Sequence, residues 1–310
     1  MGKPWGMTWP GYPTGRVSDG RIGIDYLAEL LGVPSPIASM QLKNDSESLL
    51  GVNFAYAGAG ITYAFGYTSL NTQMNDLESF VNKKVLTKHH LRKSVAFISL
   101  GVNDYSAYNT ENNFVFKETA TSNQTKTMAI SIVDGIAFSL VRLHSFGFRN
   151  IVIANLPSMI CSPYITVASN YSSCSANTTL TYETSIHDEF LQQRINLLNK
   201  QLRGANFLIV NQTKAFDHIY QNGSQYGFEN PLTPCCTAKD NLYDFNACGT
   251  IDDNTNEPLY KMCEHPEKAV VMDGIHPTQA AWKTVFNLYA SIPGYTQGLT
   301  LKEWIQKFRN

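Results

Sequence analysis

Asp273 and His276 stand three residues apart in the stretch Asp273-Gly274-Ile275-His276-Pro277-Thr278. A carboxylate and an imidazole at this spacing, placed at the end of a strand, can face one cleft. The carboxylate then accepts from one ring nitrogen and leaves the other free as a general base. Such a pair is common in sequences, so its weight depends on what else the chain supplies. Acyl transfer also needs a nucleophile, and hydrogen-bond donors where the carbonyl oxygen becomes an anion. The backbone N–H of Gly58, in Tyr56-Ala57-Gly58-Ala59-Gly60, and the side-chain amide of Asn103, in Gly101-Val102-Asn103-Asp104, are candidates for such donors. Each also has a plainer use, Gly58 in a tight turn and Asn103-Asp104 as a loop cap.

Strands must hold these residues. Apolar runs predict strands over residues 49–55, 95–100, 151–154, 207–210 and 269–272. Helix-period patterns predict helices over about 22–31, 70–86, 125–146, 182–202, 214–221 and 279–292. Ser18 or Asp19 is the expected N-cap of the first helix, and Gly32 its stop. Strands alternating with helices argue an α/β fold, a parallel sheet covered on both faces, in which ligands bind outside the carboxyl ends of the strands. Gly58, Asn103 and the Asp273/His276 pair all fall at such ends. With no repeat and no linker, residues 1–310 read as a single domain.

The composition, 43% hydrophobic and 16% charged with a formal net charge of −1, is that of an ordinary globular protein and suggests neither nucleic acid nor an anionic membrane as partner. No apolar run approaches the ~20 residues of a transmembrane helix. Six cysteines, Cys161, Cys174, Cys235, Cys236, Cys248 and Cys263, favour disulfides and an oxidising compartment. Cys161 and Cys174 bracket one loop and are expected to pair; the other four allow three pairings. A zinc site would enlist Cys263 and His265, but no paired C-x₂-C knuckle supports it. Sequons at Asn44, Asn123, Asn170, Asn177, Asn211 and Asn222 agree with secretion, whereas Met1-Gly2-Lys3-Pro4-Trp5 has no apolar h-region, so no signal peptide is read there. Gly15, Gly20 and Arg21 mimic a phosphate-binding loop only loosely, because no strand precedes them and arginine stands where lysine is required.

In this order and spacing, Asn53-Phe54-Ala55-Tyr56-Ala57-Gly58-Ala59-Gly60, Gly101-Val102-Asn103-Asp104 and Asp273-Gly274-Ile275-His276-Pro277-Thr278 resemble the second, third and fifth blocks of the plant GDSL esterase/lipases, in the SGNH hydrolase superfamily. The loop from Gly6 to Arg21, Asn155-Leu156-Pro157 and the Cys235-Cys236 to Cys263 pattern are similar as well, so the resemblance spans essentially the whole chain. It implies a flavodoxin-like three-layer α/β/α sandwich with a parallel sheet, and hydrolysis of small carboxylic esters without a metal or organic cofactor by a secreted, monomeric protein. It implies oxyanion roles for Gly58 and Asn103 and triad roles for Asp273 and His276. Ala57 stands where the family usually has glycine, one residue before the aligned donor.

A larger departure concerns the first block. No Gly-Asp-Ser occurs in the sequence, so the domain reads as N-terminally incomplete, without its nucleophile and first central strand. Ser18, the nearest serine, sits in a loop with no strand to position it. The alternatives to a hydrolase are a pseudo-enzyme binding an acyl or glycan ligand and a metal or redox protein built on the cysteines. Tyr63, Phe65, Tyr67 and Tyr105 are candidates to line the cleft.

Overall fold

Short β-branched runs that carry no charge suit a strand covered on both faces. The computed structural model, which describes residues 2–61, 67–111, 122–176 and 178–309, contains three such strands side by side. In chain order its helices are α1 (Gly23–Leu31), α2 (Leu70–Asn82), α3 (Lys88–Lys93), α4 (Val102–Glu111), α5 (Ser122–Phe146), α6 (Pro163–Thr166), α7 (Thr178–Gln201), α8 (Gln212–Gln221), α9 (Gln279–Ser291) and α10 (Leu301–Arg309). Its strands are β1 (Ile37–Ala38), β2 (Val52–Asn53), β3 (Val95–Ile98), β4 (Asn150–Ala154), β5 (Asn206–Val210), β6 (Cys236–Ala238) and β7 (Tyr260–Met262). The chain divides into two compact units.

One unit comprises Val33–Pro157, Asn177–Thr213 and Pro293–Asn310. Its centre is the parallel ladder β3-β4-β5, with Val95 opposite Asn150 and Asn150 opposite Asn206. β4 is buried along its whole length. Ile132, Ile136 and Leu140 recur every four residues on α5 and are fully buried in the same core as Leu191, Ile195 and Leu198 of α7. By length and composition α5 could cross a membrane, which the sequence reading did not anticipate; its buried stripe belongs to this core, and Asp134 on it pairs with Arg194 at 2.6 Å.

The strand expected over 49–55 is shorter than predicted. A 3₁₀ segment, Asp45–Leu50, capped by the Asn44 side chain, takes the first residues, and Gly51 breaks the run, so only β2 pairs, in parallel with β1. Four helices were not anticipated, the short α3 and α6 and the longer α4 and α10. α4 has no apolar stripe, and α10 begins in a capping box in which Thr300 and Glu303 exchange hydrogen bonds.

The other unit comprises Met1–Gly32, Ser158–Ala176 and Lys214–Ile292. α1 packs on α9, with Tyr26, Phe286 and Trp282 stacked in tilted contacts. α1 ends at Gly32, whose φ of 64° closes the helix. Its start differs from expectation: Asp25 in the first turn accepts the N–H of Ile22, while Asp19 accepts the N–H of Gln279, the first residue of α9, at 2.7 Å.

Residues 269–272 also depart from the reading as a sheet strand. They are buried, but the chain folds back on itself, Val271 bridging Pro277 in antiparallel fashion, and the N–H groups of Cys235 and Cys236 bond the carbonyls of Val271 and Met272. A short run with no polar position reads alike whether a ladder or a loop buries it. The disulfides are Cys161–Cys174, Cys235–Cys263 and Cys236–Cys248. The last two hold the antiparallel pair β6-β7 and, with Trp5 and Met272, form a small core.

Candidate active site

The turn from Asp273 to Thr278 is tied at both ends before its side chains are considered. Met272 N–H donates to the His276 carbonyl at 2.7 Å, and Thr278 N–H to the Val270 carbonyl at 3.0 Å. Thr278 then caps α9 through the N–H of Ala281. Gly274 lies so close to Phe245 that a Cβ there would sit 2.5 Å from the ring, and the Gly274 carbonyl accepts from Tyr164 N–H. Ser18 is wholly buried and donates its hydroxyl to the Pro277 carbonyl at 3.0 Å. It braces the turn and is not a nucleophile.

In this frame Asp273 receives three N–H groups. Oδ1 accepts the backbone N–H of Ile275 at 2.9 Å and of His276 at 2.8 Å, and Oδ2 meets the His276 Nδ1 at 2.7 Å. Burial alone would push this carboxyl up. The His276 charge, its ring N–H and the two backbone N–H groups outweigh burial and hold it below the usual carboxylate range. The carboxylate is 9% exposed and the imidazole 40%. An ionised acceptor on Nδ1 fixes the proton there, leaving the lone pair of Nε2 for a substrate proton. This is the geometry of a general base with its orienting group.

The Gly58 loop and Asn103 belong to the other unit, where the structure brings them together. Gly58 has φ +77°, and a Cβ on it would sit 2.6 Å from the Tyr67 ring, so both conformation and space call for glycine. Among the described residues its N–H meets no acceptor. Asn103, in the first turn of α4, donates from Nδ2 to the Ala59 carbonyl at 2.9 Å, and the buried Asp104 accepts the N–H of Ile61 at 2.8 Å. α4 therefore shapes the loop that follows β2, and the sequence separation of about forty residues hides this link. A glycine N–H with no acceptor among the described residues and a carboxamide with a second N–H to give are suited to a developing oxyanion.

The aromatic candidates divide. Tyr63 and Phe65 lie outside the described residues, Tyr67 is 64% exposed beside Gly58, and Tyr105 is a core residue, 4% exposed, rather than a cleft wall. The zinc reading loses its thiolate, because Cys263 is bonded to Cys235.

Sequence reasoning also missed a buried polar layer on α7. Glu183 accepts from the Asn109 amide at 2.8 Å, His187 Nδ1 meets the Tyr105 hydroxyl at 3.3 Å, and Asp188 accepts from Asn155 at 2.6 Å. Asn155 also accepts the N–H of Gln212, whose side chain reaches Ser99, so one asparagine ties together the C-terminal ends of β3, β4 and β5. The signal available was the polar residues on an otherwise core-facing helix.

The GDSL-like Lipase/Acylhydrolase family profile matches residues 5–289. The chain is 32% identical to GDSL esterase/lipase At5g03610 of Arabidopsis thaliana over 297 residues, 92% of this chain and 78% of that protein. It is 31% identical to GDSL esterase/lipase At3g09930 of the same plant, covering 92% of this chain and 79% of that one. A third Arabidopsis thaliana protein, GDSL esterase/lipase At2g36325, is 31% identical with coverage of 92% and 78%.

Proposed function

The chain belongs to the GDSL-like lipase/acylhydrolase family, and from that membership we propose that it serves the hydrolysis of small carboxylic esters with His276 as general base, Asp273 as its orienting group, and Gly58 N–H and the Asn103 amide as oxyanion donors. The observation that carries this reading is the 2.7 Å contact from Asp273 to His276 Nδ1 on a carboxylate that two backbone N–H groups also hold. In the proposed cycle Nε2 takes the proton of the attacking hydroxyl as its oxygen bonds the ester carbonyl carbon. The carbonyl oxygen becomes an anion facing the two donors, and the proton passes to the departing alkoxide. Water then repeats the sequence on the acyl intermediate and releases the acid. The cycle as written uses no metal or organic cofactor.

The sequence contains no Gly-Asp-Ser, so this reading assigns the serine nucleophile to none of the 310 residues, and the same absence favours a second reading, an acyl- or glycan-binding pseudo-enzyme. The disulfides and sequons support a secreted protein, and we read it as a monomer with one catalytic domain. Release of p-nitrophenol from a short-chain ester separates the two functional readings. Turnover above background that His276→Ala abolishes supports the hydrolase. Background turnover in both proteins that persists when a Gly-Asp-Ser block is restored ahead of residue 1, with melting raised by the ester or a glycan, supports the binding protein and overturns the hydrolase.

A further inference from the structure

α7 faces α4 with a layer that the ester chemistry does not use. Asn109 and Tyr105, one turn apart on α4, meet Glu183 and His187, one turn apart on α7, at 2.8 and 3.3 Å. Both rungs are buried, His187 entirely. Among the described residues the first rung is chemically incomplete. Asn109 Nδ2 donates to Glu183 Oε1, while Asn109 Oδ1 is buried with no partner among the described residues. An unmet buried acceptor costs about 1–3 kcal/mol. A carboxylate has no hydrogen to offer that oxygen, but a carboxylic acid does. Turning the amide over changes nothing, because its oxygen would then face Glu183 and still need the proton.

We infer that Glu183 is a positioning residue, held as a neutral carboxyl group in a two-bond pair with the Asn109 carboxamide, and that this pair fixes α4 and hence Asn103. The path is short. A Cβ on Gly101, just before α4, would lie 3.6 Å from the His187 ring, so α7 supports the turn that launches α4. The first turn of α4 in turn holds the Gly58 loop through Asn103 and Asp104. Burial raises the Glu183 carboxyl to about 7, against the opposing bond from Asn109. The ionisable groups facing this layer are Asp104 and Tyr105 on α4 and His187 and Asp188 on α7. From α5, Lys126 stands over the Phe190 ring and Asp134 is paired with Arg194.

A carboxyl whose value is raised on folding stabilises the protein fully below its unfolded value, and that stability is lost as pH rises through the folded one. Melting of the full chain, Glu183→Gln and Glu183→Ala from pH 5 to 8, with p-nitrophenyl ester kinetics at each pH, tests the inference. Glutamine presents the same acceptor and donor at every pH. Glu183→Gln is therefore expected to stay close to the wild type at pH 5 and to melt several degrees higher at pH 8. Glu183→Ala is expected to lower kcat several-fold with KM unchanged, and Glu183→Gln to restore it. Equal pH dependence in the wild type and Glu183→Gln overturns the inference, as does a Glu183→Gln as impaired as Glu183→Ala. The kinetic arm rests on the proposed oxyanion role of Asn103. The melting arm does not, so absence of turnover would bear on the proposed function alone, and melting would decide the inference.

Discussion

Asp273 and Glu183 are both buried carboxyl groups, yet burial has opposite net results for them. Asp273 is held below the usual range and Glu183 is raised to about 7. The difference is the number of hydrogens each is offered. Three N–H groups, one on an imidazole that can carry charge, converge on Asp273, whereas among the described residues one amide N–H meets Glu183. Desolvation acts on both; donors decide. One carboxyl is thereby kept as an anion that can orient a base, and the other becomes an uncharged brace. The turn that presents Asp273 is tied by backbone bonds and disulfides rather than by a sheet, and that rigidity is what aims two successive N–H groups at one oxygen.

Breaking the charged pair has the largest expected effect. If the chain turns over p-nitrophenyl esters, His276→Ala should lower kcat by about 10⁴-fold or more, and steady-state kinetics on the variant measures it. Asp273→Asn should cost about 10³- to 10⁴-fold by offering Nδ1 the wrong partner. The same variant sharpens the comparison through stability. A depressed carboxyl stabilises the fold above its unfolded value and loses that contribution as pH falls through the folded one. Wild-type melting should therefore drop below about pH 4, near the ordinary aspartate value, and the Asp273→Asn curve should be flatter there.

Asn103→Ala tests the far end of the path from Glu183. It removes one of the proposed oxyanion donors and should lower kcat by about 10²- to 10³-fold while melting changes little. The smallest effect belongs to the neutral carboxyls. The raised value of Glu183 corresponds to at most about 3 kcal/mol lost between its ordinary value of 4.5 and about 7. Asp188, also raised to about 7 by burial, adds a loss of the same sign. His187, lowered to about 4, opposes them by destabilising the fold as pH falls from its ordinary value. Melting of Asp188→Asn beside Glu183→Gln separates the two carboxyls.

Much of this was legible in the residues themselves. The pair Asp273 and His276 is local, three positions apart, so its contact follows from one turn. β3, β4 and β5 announce themselves as apolar runs, and α5 by a repeat of four. What stayed hidden has a common cause. α4 buries Asp104, Tyr105 and Asn109, so a search for an apolar stripe passes over it, and α7 carries Glu183 and His187 where such a stripe would be expected to continue. Residues 269–272 have the composition of a sheet strand, and only the N–H groups of Cys235 and Cys236, more than thirty residues upstream, decide otherwise. The Thr300 to Glu303 capping box before α10 was readable and was missed. The link from Asn103 to Ala59 crosses from one strand end to another, and no local pattern records it.

The central claim, that an ionised Asp273 fixes the His276 proton on Nδ1 and frees Nε2 to act as a base, is tested most directly by nitrogen-15 NMR of the imidazole at neutral pH. A protonated Nδ1 with a strongly downfield proton, an unprotonated Nε2, and loss of that downfield proton in Asp273→Asn are the predicted results. A proton on Nε2 in the wild-type protein, or a downfield signal that survives Asp273→Asn, would contradict the account.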